Sequence, residues 1–181
     1  MHCWKTINVK KQYGFDRLFM LSSLSGLGVF MIFYVALNIF YSATLSDQYF
    51  LLFLLSMIAL YPLHKLCHFL PLVGCRRSIR LVFKKQLGLI PLISLRIKEP
   101  VPKMHFIFAL ISPFLLINSS IILLVASMPA YSHYFAMLFA FHCALCLTDL
   151  VYIRNLSRSP KYALIEETEN GFQILVPQVI S

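Results

Sequence analysis

Long apolar runs alternate with short basic stretches along this chain. Leu18 to Ser46 carries no charge, Tyr49 to Leu63 is apolar, and Met104 to Thr148 carries no formal charge. A helix needs about 20 predominantly apolar residues to cross the hydrocarbon of a bilayer. The first run predicts a span over about 18–42, with Ser25-Gly26-Leu27-Gly28 offering small residues for close helix contact. Only fifteen residues separate Tyr49 from His64, too few to cross comfortably. The second span is therefore expected to run through His64 and His68, over about 49–73, with a kink at Pro62 and a stop at Gly74. The last run holds two helices, about 104–127 and 131–153, divided at Met128-Pro129-Ala130. The third contains Pro113, expected to bend it, and Asn118, suited to a hydrogen bond between helices.

Between the second and third spans the period changes. In the segment 75–103, Ile79, Leu81 and Phe83 alternate with Arg80, Val82 and Lys84, and Ile93, Leu95 and Ile97 alternate with Ser94, Arg96 and Lys98. Period-two patterning on both sides of Gln86-Leu87-Gly88 predicts a basic β-hairpin insert. The tail, 154–181, shows a second hairpin signal, Asn170-Gly171 between two apolar runs. Residues 1–17 read as a short basic lead.

Composition sharpens this into a class. The chain is 59% hydrophobic and 13% charged, too little charge to cover a soluble domain of 181 residues. The expected fold class is an α-helical polytopic membrane protein of four spans with two small hairpins, forming a single membrane domain over 1–181. The first apolar run is too long for a signal h-region, so no cleavable signal peptide is expected.

The net charge of +9 is placed unevenly. Four Lys/Arg lie in the lead, eight in the insert and three in the tail, whereas the two opposite loops have none. That asymmetry predicts a cell-membrane protein with both termini and the insert cytoplasmic, facing anionic lipid headgroups rather than nucleic acid. The five cysteines then lie in the membrane or on its reducing side, where free thiols are the expectation.

The chemistry concentrates in His64-Lys65-Leu66-Cys67-His68. Positions i and i+4 share a helix face, so both imidazoles can reach one ion. At 1.5 Å per residue, His64 and His68 lie about 22 and 28 Å along the second span from Tyr49, and Asp149 about 27 Å along the fourth from Tyr131. Two imidazoles and a carboxylate at one level suit a three-ligand zinc site with a fourth position open. Interior polar packing fits the same spacing, and spacing alone does not choose. Cys143-Ala144-Leu145-Cys146 has no second pair and reads as small packing residues, and His142 as a packed or hydrogen-bonded interior residue.

Together these parts resemble a bacterial family of membrane zincin-peptidase domains of unknown function, distantly similar to intramembrane metallopeptidases of the site-2 protease type. The resemblance rests on Leu63 to His68, the basic insert, Ser112-Pro113-Phe114, Leu147-Thr148-Asp149-Leu150 and Asn170-Gly171-Phe172. It implies a zinc site whose ligands fall on His64, His68 and Asp149. Where the family has the glutamate that serves as general base, this chain has Lys65. A lysine ammonium accepts no proton, so the expectation is a catalytically impaired peptidase that retains metal or peptide binding, with a membrane protein or peptide as partner. The alternatives are an active zinc-dependent intramembrane peptidase using neutral Lys65, and a membrane ion or metal transport or sensing protein.

Overall fold

The computed structural model describes residues 2–41, 43–75, 79–85, 91–97, 100–168 and 171–176. Strand β1 (His2–Ile7) leads through the short helix α1 (Val9–Tyr13) into α2 (Phe15–Phe40). Helix α3 (Phe50–Cys67) continues into a 3-10 segment, Leu70–Cys75. Strands β2 (Ile79–Lys85), β3 (Pro91–Ile97) and β4 (Val101–Pro102) precede α4 (Lys103–Ser127). Helix α5 (Ser132–Ser157) is followed by β5 (Leu164–Thr168) and β6 (Gly171–Val176).

Helices α2 to α5 are the four expected spans, each long and apolar enough to cross a membrane. Their outer faces show what that requires: Met20, Leu24, Ile32 and Ile39 of α2 and Leu51 and Ile58 of α3 are all exposed. The second span runs Phe50–Leu72, close to the expected bounds, but its α-helical part stops at Cys67. Pro71 sits four residues after Cys67 and has no N–H to offer its carbonyl, so the chain tightens into the 3-10 segment.

The expected insert hairpin is present as β2 paired antiparallel with β3, from Ile79 opposite Ile97 to Lys85 opposite Pro91. Its Gln86-Leu87-Gly88 turn lies outside the described residues. The tail hairpin is present as β5 and β6. The lead is not a simple basic arm, because β1 pairs antiparallel with β6. A four-stranded sheet of order β1-β6-β5-β4 results, drawing the segments before α2, before α4 and after α5 to one end of the bundle. Gly171, at φ +151°, sits where any Cβ would overlap the Ile7 carbonyl, so the register requires glycine.

Sheet and bundle share a core. Ile7, Val101, Ile165 and Ile174 pack with Phe106, Leu110 and Leu156, and the Phe172 ring meets Phe106 and Tyr152 edge-on at 4.7 and 4.9 Å. Buried Lys103 opens α4 and donates to the Ser159 and Ser157 carbonyls at 2.7 and 3.3 Å, closing the exposed end of α5. At the opposite end Ser46 N–H bonds the Ala130 carbonyl at 3.0 Å.

The small-residue contact foreseen in the first span exists at Gly26. A Cβ there would stand 3.0 Å from Ala144 Cβ of α5, whereas Gly28 faces open space. Gly26→Val is expected to push α2 off α5 and destabilise the detergent-solubilised protein by about 1–3 kcal/mol, with Gly28→Val close to neutral. Thermal unfolding of the two variants side by side checks this.

Candidate metal centre

The site forms where α3, α4 and α5 meet near their sheet-side ends. His64 is in the last turn of α3, and His68 caps it with helical torsions (φ −63°, ψ −24°), so the i, i+4 relation survives the end of the helix. Asp149 comes from α5 at the same level. His64 Nε2 lies 3.2 Å from His68 Nε2 and 3.2 Å from Asp149 Oδ2, and His68 Nε2 lies 3.6 Å from Asp149 Oδ2. The three atoms form a small, nearly regular triangle.

The opposite ring nitrogens fix what those atoms can do. His68 Nδ1 is 2.8 Å from the Ala109 carbonyl. A carbonyl only accepts, so Nδ1 carries the hydrogen and donates. That carbonyl is available because Pro113, four residues on, has no N–H to close the α-helical bond. The converse stitch lies beside it, where buried Ser112 Oγ donates to the Cys67 carbonyl at 2.9 Å, the group Pro71 leaves without a donor.

A second chain of bonds fixes His64. Asn118 directs its amide nitrogen to Cys143 Sγ at 3.6 Å, so its oxygen accepts from His142 Nδ1 at 2.7 Å. The Nε2 of neutral His142 then accepts from His64 Nδ1 at 3.2 Å. Neutral His64 and neutral His68 thus both present an Nε2 lone pair to each other and to a carboxylate. Asp149 Oδ2 is buried with no hydrogen bond.

Three electron-rich atoms at this spacing, away from water, are unfavourable unless a positive charge joins them. A single proton can bridge only two of them, whereas one divalent cation satisfies all three. A tetrahedral ion held at about 2.0–2.1 Å spaces its nitrogen and oxygen ligands roughly 3.3–3.4 Å apart, which the triangle matches. The residues therefore fit zinc. A second group, His64, His142 and Cys146, also lies within reach of one point. It is fully buried and uses His64 Nδ1, the atom engaged by His142, with Cys146 Sγ 3.5 Å from His142 Nε2. Unlike Asp149 Oδ2, these atoms have partners.

The family model described as "putative zincin peptidase" matches residues 57–164. The chain belongs to this family. No curated protein and no solved structure matches the chain. In this zincin-family chain the matched stretch holds the whole triangle and both bond chains behind it, and leaves out β1 and α2.

Lys65, next to His64 in the chain, is exposed on the neighbouring face of α3 with its Nζ 5.9 Å from the Tyr61 ring centre. Among the described residues no ion pair joins it to Asp149, although both line the same cavity. His142 and Asn118 were legible only as polar interior groups. The missed signal is their spacing: His142 precedes Asp149 by seven residues, two helical turns, on one face. His133 lies at the far end, with Nε2 3.3 Å from Asp47, and takes no part.

Restoring an N–H at Pro113 should disturb the site without touching a ligand. Pro113→Ala lets the helix reclaim the Ala109 carbonyl from His68, and zinc affinity is expected to fall about 10–100-fold with the fold intact. His142→Phe, which removes the acceptor for His64 Nδ1, should do the same. Competition with a calibrated chelator, alongside thermal unfolding, measures both.

Proposed function

We propose that this protein is a membrane-embedded zinc-binding member of the zincin-peptidase family that holds ligands without hydrolysing peptides. His64, His68 and Asp149 hold the metal, and the sheet side of the bundle faces the cytoplasm, in keeping with the basic lead, insert and tail. Zinc bound there would supply Lewis acidity.

The observation that carries the reading is Lys65. Peptide hydrolysis needs a base that takes a proton from water and returns it to the leaving amine. Among the described residues Asp149 is the one carboxylate at the triangle, and it serves there as a ligand. Lys65 stands in the glutamate's place, and a lysine ammonium has no lone pair with which to accept a proton. A positive charge beside a divalent ion also disfavours the geometry of the family's reaction. Transport is less well supported, because the polar groups converge on one point instead of marking a path.

Purified protein is expected to hold about one zinc per chain, and His64→Ala, His68→Ala and Asp149→Ala each to lose it. Wild type should leave transmembrane peptides uncut with zinc present, and Lys65→Glu should gain zinc-dependent cleavage. Metal analysis and a cleavage assay on the same preparations decide it. Wild-type cleavage abolished by His64→Ala would show an active peptidase instead, and a metal-free wild type would remove the centre altogether.

A further inference from the structure

A long cavity opens beside the triangle. It holds about 850 Å³ between α2, α5 and the Met57–Lys65 edge of α3, and its walls are mostly apolar. Lining residues run from Phe15 to Phe30 on α2 and from Met137 to Tyr152 on α5. At 1.5 Å per residue each wall is about 22 Å long.

Hydrogen bonding and length decide among occupants. An extended peptide would bring N–H and C=O groups that need a strand edge, and among the described residues no strand lines the cavity. An acyl chain asks for no hydrogen bonds and can lie along apolar walls of this length.

Charge selects the head group. Lys65 and Asp149 both line this cavity. Alone their charges cancel, but a divalent ion on Asp149 and the two histidines leaves that end strongly positive. We infer that the cavity binds a single-chain anionic amphiphile, a long-chain fatty acid, with its alkyl chain along the groove that α2 and α5 line and its carboxylate at Lys65. This rests on the metal reading for its charge balance. The lysine that removes the hydrolytic base thereby supplies an anion receptor.

The test uses full-length protein in nanodiscs of neutral lipid, with zinc content measured separately by mass spectrometry. Binding of labelled palmitate is compared with palmitate methyl ester, which has the same chain and no charge, and with an apolar peptide as competitor. Palmitate should bind one per chain and at least about tenfold more tightly than the ester. Lys65→Met should erase that preference without lowering zinc content, Lys65→Arg should keep it, and chelation should weaken palmitate but not the ester. Equal affinity for acid and ester in zinc-loaded protein overturns the fatty-acid site and leaves the metal centre standing. Displacement of palmitate by the peptide in preference to the ester likewise overturns it. Absence of zinc from wild type overturns both readings.

Discussion

In hydrocarbon no water is available to take up an unpaired carbonyl, so each one must find a donor in the protein. Two prolines beside the site make that demand local here. Pro71 and Pro113 each withdraw an N–H, leaving the carbonyls of Cys67 and Ala109 open. The neighbouring helix answers both times, Ser112 of α4 to Cys67 and His68 of the α3 cap to Ala109. The same bonds join α3 to α4, end α3 at the right place and set the tautomer of His68. Helix packing and site chemistry here share one origin.

The remaining constraint is electrostatic. His64, His68 and Asp149 bring three acceptors together where charge is expensive, and the Asn118–His142 relay prevents His64 from escaping by moving its proton. A cation bound there would offset the cost of such an arrangement. Lys65 makes no ion pair with Asp149 among the described residues, being turned toward the cavity and the Tyr61 ring. The histidine and lysine that adjoin in sequence thus serve different surfaces, one facing the triangle and one facing the long cleft.

Much of this was legible in the sequence, for definite reasons. Uncharged runs and a hydrophobic period report local physics, so the four helices and both hairpins could be read directly. The level of His64, His68 and Asp149 followed from helical rise alone. The role of Pro113 was not legible, since a proline announces a missing donor but not which side chain will use the vacated acceptor; a bend was expected, and the structure shows a carbonyl turned to use. The relay through His142 needed the rotation of α5 against α3, which no spacing within one helix specifies. Strand β1 was missed because its partner lies some 170 residues away and its own residues, mostly exposed, carry no alternation.

That distant pairing has a consequence for the order of assembly. Strand β1 cannot take its place until residues 171–176 have left the ribosome, by which time α2 has long since been synthesised. The first helix therefore waits in the bilayer without the sheet that anchors its leading end, held to α5 only once α5 exists. Contacts of such sequence separation form late and slowly. The strand that leads into the first wall of the cleft is therefore among the last parts of the chain to be fixed in place.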